Sequence, residues 1–170
     1  MSGETVNLAL SPLEVLQHAL DDTESLRTRV VWLVGRPGMG KTKLLQALAQ
    51  ERPNCPYVNI NVELATLLAN QPPALRPFDA PALLTTLLPA RIAGAWLVDN
   101  TELLFSGELK INVVERFKTI GQHAPVVVAW CGEYKNSKLI YGTSGHADYR
   151  EFSPDSTVVV DLNKMQTQGN

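Results

Sequence analysis

Apolar and polar positions in this chain fall into short blocks whose period switches between that of a helix and that of a buried strand. Ser11, Pro12 and Glu14 open the first helical block. They supply a capping hydroxyl, a proline at the first helical position and a carboxylate three residues after the cap. Leu13, Leu16 and Leu20 follow at helical spacing. Residues 30–34 (VVWLV) are instead continuously apolar and rich in β-branched side chains, the pattern of a strand covered on both faces in a parallel sheet, and the run ends at Gly35. From Lys41 to Glu51 the sequence KTKLLQALAQE is rich in helix formers, and Pro53 stops it.

The alternation continues to the end of the chain. Residues 57–62 predict a second strand and residues 63–69 a short helix. Pro72, Pro73, Pro77 and Pro81 then crowd one segment, which predicts a loop without regular structure before a helix resumes over residues 82–88. Residues 95–98 (AWLV) read as a third buried strand ending at Asp99. Residues 108–120 read as an amphipathic helix with Leu109, Val113, Phe117 and Ile120 on one face, closed by Gly121. Residues 125–131 (PVVVAWC) predict a fourth strand, residues 132–156 an irregular segment and residues 157–162 (TVVVDL) a fifth strand. Trp32, Trp96 and Trp130 each fall in a strand and are expected in the core. Strands alternating with helices imply a three-layer α/β domain with a mainly parallel sheet of about five strands. One domain is expected over residues 1–162, with a frayed tail over residues 163–170.

Composition narrows the class. A chain of 170 residues with 45% hydrophobic and 19% charged residues suits one globular domain and excludes wholesale disorder. The 15 basic and 17 acidic residues leave a net charge of −2, which argues against attachment to nucleic acid by bulk electrostatics alone. The charges are segregated: residues 1–25 hold five acids and no Lys or Arg, and residues 26–50 hold five Lys or Arg and no acids. The basic stretch calls for an anionic neighbour. Cys55 and Cys131 lack the spacing of a zinc site or a disulfide framework, and no apolar run approaches the ~18 residues of a membrane span. A cytoplasmic protein with no membrane partner is expected.

The anionic neighbour is named by residues 35–42. Gly35, Arg36, Pro37, Gly38, Met39, Gly40, Lys41 and Thr42 fit GxxxxGK[ST] at every fixed position, between a predicted strand and a predicted helix. Glycines let the backbone wrap so that successive N–H groups point at phosphates, and the helix beginning near Lys41 adds its positive dipole end. Lys41 is expected to neutralise the β and γ phosphates, Thr42 to ligate Mg²⁺, and Lys43 to lie at the same nucleotide-binding turn. ATP and Mg²⁺ are the expected cofactors.

Asp99 ends the third strand, where a P-loop domain needs a carboxylate to hold Mg²⁺ through its water shell. With one strand predicted between them, the strands carrying the two motifs can be adjacent in space while separated in the chain. This arrangement resembles the ATPase division of P-loop proteins, which includes the AAA+ group. In those ATPases the residue after the aspartate is usually a glutamate that polarises water, whereas here it is Asn100, a carboxamide that can orient water without taking its proton. Glu102 is the candidate substitute, if the turn brings it back to the γ-phosphate. Otherwise it is a solvated turn carboxylate.

Weaker candidates remain. Cys131 ends the fourth strand, where AAA+ proteins place a polar residue that senses the γ-phosphate; a thiol is a poor donor there, and a structural cysteine is the commoner fate. Arg116 and Arg150 are candidate fingers for a neighbouring site, each weighed against an ordinary solvated arginine. His146 has no second His or Cys at metal spacing.

With these residues placed, the chain resembles the small P-loop proteins of type 3 BREX phage-defence systems. The likeness lies in GRPGMGKT at 35–42, VDNTELLF at 98–105, and VVVAWCG at 126–132 with the GHADY loop that follows. It implies a bacterial cytoplasmic component of an apparatus that blocks phage replication and marks host DNA by methylation. Its implied partners are the other BREX proteins, among them a large ATPase, a DNA methyltransferase and an alkaline-phosphatase-like protein. With few residues after the fifth strand, the helical lid of full AAA+ motors is not expected in this sequence. The leading reading is an Mg-ATP-binding, AAA+-like subunit, with hydrolysis to ADP slow or stimulated by a partner. Its nucleotide state would control assembly with itself, with partner proteins or with DNA. A small-molecule or nucleoside kinase and a purely structural nucleotide-binding module are the alternatives.

Overall fold

The structure, a computed structural model, describes residues 10–143 and 145–166. The predicted cap is present: Ser11 accepts the Glu14 N–H, Glu14 reaches back to the Ser11 backbone, and helix α1 runs Pro12–Asp22. Strand β1 (Val30–Gly35) is buried along its whole length, and helix α2 (Lys41–Glu51) begins where the sequence places it. Strand β2 (Tyr57–Asn59), helix α3 (Ile60–Leu68) and helix α4 (Arg76–Leu87) precede strand β3 (Trp96–Asp99). Helix α5 (Val113–Gly121), strand β4 (Val126–Cys131), the short strands β5 (Glu133–Lys135), β6 (Lys138–Tyr141) and β7 (Arg150–Phe152), strand β8 (Val158–Asp161) and helix α6 (Leu162–Gln166) complete the order.

The main sheet has five parallel strands in the order β2-β3-β4-β1-β8. Alternate side chains of β1 feed two cores. Val31 and Leu33 pack with Leu16 and Leu20 of α1 and Leu45 and Leu48 of α2. Val30, Trp32 and Val34 pack on the other side with Ile60, Leu64, Leu84 and Phe117 from α3, α4 and α5. Helices therefore cover both faces of the sheet, as the continuous apolar strands require. The Trp32 indole donates to Thr157 Oγ1 at 3.0 Å and meets Phe117 and Trp130 edge to face, so the largest buried side chain keeps its polar atom satisfied. Trp96 is only half-buried and donates instead to the Pro89 carbonyl.

Several expectations change. Strand β1 and strand β3 are not neighbours, because β4 lies between them and pairs with both. The second strand stops at Asn59, whose side chain accepts the Val62 N–H and so starts α3 within the segment expected to stay extended. The proline-rich segment is helical. Pro77 sits in the first turn, where its missing N–H costs nothing, and Pro81 lies inside α4. The loss at Pro81, about 3 kcal/mol, is offset by burial of Leu84 and Leu88 against α3 at about 1.5–3 kcal/mol each. Helix α5 starts late because Lys110 adopts φ 52° and Asn112 caps the helix by accepting the Glu115 N–H, although Leu109 stays buried. Gly121 is the last residue of that helix. A side-chain carbon there would lie 2.4 Å from Val30 Cγ2, so glycine allows close approach of α5 to β1.

The segment expected to be irregular forms an antiparallel sheet, β5-β6-β7. Its hairpin turns through Asn136 (φ 52°) and Ser137 (φ 60°), the left-handed pair of a two-residue turn that matches strand twist. Tyr134, Tyr141 and Phe152 pack this small sheet against Trp130 and Phe105. Residues 163–166, expected in the tail, belong to α6, and residues 167–170 lie outside the described residues.

Candidate functional site

The loop between β1 and α2 takes its shape from its glycines. Gly38 (φ 83°) and Gly40 (φ 87°) adopt backbone angles that other residues resist. A side-chain carbon on Gly35 would lie 3.2 Å from Met39 Cβ and 3.3 Å from Lys41 Cγ. Gly40 is the N-cap of α2, and no side chain caps that helix. The N–H groups of its first turn, from Lys41, Thr42 and Lys43, therefore remain for a ligand, with the positive dipole end behind them. Lys41 Nζ folds back and donates to the carbonyls of Gly35 and, at 3.1 Å, Arg36.

The root of the loop is held from the far end of the chain. The Arg36 N–H and Nε–H donate to Asn163 Oδ1 at 3.0 and 3.4 Å, and Asn163 Nδ2 donates to the Gly132 carbonyl at 3.1 Å. One carboxamide thus ties the loop to the end of β4. Asn163 escaped sequence reasoning because it lies in the segment expected to fray.

The separation of β1 and β3 does not keep their motif residues apart. Thr42 Oγ1 donates to Asp99 Oδ2 at 2.6 Å, and Asp99 is only 2% exposed. Two further donors hold the same carboxylate: the Tyr57 hydroxyl at 2.6 Å on Oδ2, and the Asn100 N–H at 2.9 Å on Oδ1. Burial, then the hydrogen bond to Asp99 and its charge, push the Tyr57 phenol well above the ordinary tyrosine range. Tyr57 carries no motif, and only the register Tyr57–Leu97 and Asn59–Asp99 brings it within reach.

Asn100 turns the chain with φ 53°, and its carbonyl accepts the Asn61 N–H at 3.0 Å. The Asn61 side chain, also missed in the sequence, donates to Glu102 Oε2 at 3.0 Å and accepts the Leu103 N–H at 2.8 Å. Glu102 is exposed but lines the same cleft of about 470 Å³ as Gly38, Gly40, Lys41, Thr42, Asp99 and Asn100. Cys131 lines it as well. Burial raises its thiol, Lys41 pulls it back down and Glu102 pushes it up. Beside this cleft lies a larger groove of about 850 Å³ between Arg36 and Pro37 on one side and β5, β6 and the loop to β7 on the other, and Pro37 and Cys131 line both. Arg116, half-buried on α5, and Arg150, exposed on β7, line neither. His146 sits in the exposed loop before β7.

The arrangement fits the phosphates of a nucleotide with Mg²⁺. A glycine-shaped loop and an uncapped helix suit phosphates, and a hydroxyl paired with a buried carboxylate suits a hard, oxygen-seeking cation. Among the described residues no group of three or more His, Cys, Asp and Glu could hold a metal ion.

No protein-family model matches the chain, and no curated protein does. Among solved structures it is similar to one described as the crystal structure of a DNA replication initiation factor, with a TM-score of 0.52 and 18% identity. The fold is that of a P-loop NTPase. The match covers 95% of this chain and 50% of the other, so this P-loop domain spans half the length of that neighbour. No helix among the described residues is long and apolar enough to cross a membrane.

Proposed function

We propose that this P-loop domain binds Mg-ATP and hydrolyses it slowly, and that nucleotide state controls its assembly with itself, with partner proteins or with DNA. The 2.6 Å contact of Thr42 with the buried Asp99, beside a glycine loop that opens an uncapped helix, is the observation that carries this reading. The first-turn N–H groups of α2 hold phosphate oxygens, and Lys41 leaves its carbonyl partners to neutralise them. Bound Mg²⁺ supplies charge neutralisation, with Thr42 and Asp99 as its protein-side anchors. Glu102 accepts the proton of an attacking water, a step that Asn100 cannot perform. Phosphates ordering the nearby loops would couple hydrolysis to assembly. The reading as a member of a cytoplasmic type 3 BREX apparatus is supported by the sequence segments at 98–105 and at 126–132 with the GHADY loop that follows.

ATP and ADP affinity of the wild type and of Lys41→Ala, with Mg²⁺ present, tests the core of this reading. Loss of about 10–100-fold is expected, the worth of about 1.5–3 kcal/mol for a hydrogen bond to a charged group. Retained affinity in the variant would overturn it. The 850 Å³ groove beside the cleft favours a second reading, a kinase whose acceptor sits there. Phosphate transfer to any member of a nucleoside monophosphate panel would establish that instead.

A further inference from the structure

The geometry points to Tyr57 as the positioning residue that sets the orientation of Asp99 toward the metal. This deepens the reading above and rests on it. The terminal torsion of an aspartate is broad, so packing alone does not fix the plane in which the carboxylate faces the cleft. Hydrogen bonds must fix it, and Asp99 has three donors. The Asn100 N–H comes from the adjacent residue and holds only Oδ1. The Thr42 hydroxyl is itself assigned to the cation, so its bond is committed to that chemistry rather than independent of it. Tyr57 is the donor that comes from another element and has no assigned part in binding. Its ring packs against the apolar cluster beneath α2, and it presents its hydroxyl to Oδ2 at 2.6 Å. A rigid ring whose base is anchored in the core is a better stop for a carboxylate than a mobile side chain.

The alternative is that Asp99 merely satisfies a half-buried phenol. The two roles differ in what they predict for the cation. If Tyr57 orients Asp99 toward the metal, removing its hydroxyl must change the Mg²⁺ requirement while leaving metal-free nucleotide binding intact. If it only satisfies a hydroxyl, its loss must alter both conditions alike or neither.

The test is a titration of a fluorescent ADP analogue into the purified protein, in EDTA and across a Mg²⁺ series, for the wild type, Tyr57→Phe, Asp99→Asn and the double variant. Tyr57→Phe should match the wild type in EDTA and need about tenfold more Mg²⁺ for half-maximal tightening, the usual scale for losing a partner of a metal-site carboxylate. In the Asp99→Asn background the same change should add nothing. A Tyr57→Phe protein with the wild-type Mg²⁺ dependence overturns the assignment. So does one that loses affinity equally in EDTA, or one that loses its cooperative thermal melt. A wild type that binds no nucleotide in either condition removes the proposed function itself, and this proposal with it.

Discussion

Asn61 holds Glu102 by its carboxylate: Nδ2 donates to Oε2 at 3.0 Å, while the Asn61 Oδ1 accepts the backbone N–H of Leu103 at 2.8 Å. A single side chain therefore fixes both the acid and the turn that carries it. The turn is anchored at its other end by Phe105, whose ring stacks on Tyr141 with centroids 3.8 Å apart. With Glu102 as the base, Glu102→Gln should lower ATP turnover by at least about 100-fold and leave nucleotide affinity unchanged. Asn61→Ala should cost about 1–1.5 kcal/mol of the same step, roughly tenfold, by releasing the carboxylate. Phosphate release measured beside nucleotide affinity separates the two effects, and unchanged turnover in Glu102→Gln would remove it from the chemistry.

The small sheet offers a prediction on stability alone. Asn136 and Ser137 both occupy the left-handed region, where serine is strained and glycine is not. Ser137→Gly should stabilise the protein by about 0.5–1 kcal/mol. For a chain of this size that raises the melting midpoint by about 1–4 °C. A lower midpoint would mean that the serine side chain makes a compensating contact.

Asp21 and Arg52 predict a pH dependence. The hydrogen bond from Arg52 lowers the Asp21 carboxyl below its ordinary value, opposed by slight burial and helped by the guanidinium charge. A carboxylate depressed in the folded state stabilises it above the unfolded value, and the stabilisation is lost as pH falls through the folded one. Asp21 is 55% exposed, so solvent screening limits the pair to under about 1 kcal/mol. Asp21→Asn should melt slightly lower than the wild type at neutral pH, and the gap should close on acidification below the carboxylate range. A gap that persists in acid would assign the effect to something other than the ion pair.

Asn163 predicts an effect on the loop from outside it. Asn163→Ala frees the Arg36 N–H and the Gly132 carbonyl, at a cost of about 1 kcal/mol, and should lower the melting midpoint by about 2–4 °C. Nucleotide affinity should fall as well, because the loop must then be ordered by the ligand. Matched thermal melts and nucleotide titrations check this, and unchanged affinity would show that the loop holds its shape unaided.

How far the chain could be read depended on whether its signals were local. Ser11, Pro12 and Glu14 start a helix by contacts within three residues, and Gly35 to Thr42 shape their own loop, so both were legible. Thr42 and Asp99 were legible as a pair although the strand order was not, because the bond depends on where the strand ends point rather than on adjacency. The second half of α4 was legible as a helix from residue 82, but its first half through Pro81 was hidden, since local propensity opposed it and burial of Leu84 and Leu88 overrides that. The strands β5, β6 and β7 were hidden by their shortness and charged faces, although Asn136 and Ser137 marked the turn between two of them. Tyr57 and Asn61 could not be read at all. Tyr57 meets Asp99 through sheet register, and Asn61 meets Glu102 where the start of α3 approaches the turn after β3, contacts that no local pattern announces.

Arg36 and its anchor Asn163 stand 127 positions apart, and β1 pairs on one side with β8, the last strand of its sheet. During synthesis residues 35–42 precede the residue that anchors Arg36. The hydrogen bonds that tie the root of the phosphate loop to the end of β4 are complete only when residue 163 has joined the fold. The phosphate loop and the closing edge of the sheet thus share one brace, contributed by residues far apart in the chain.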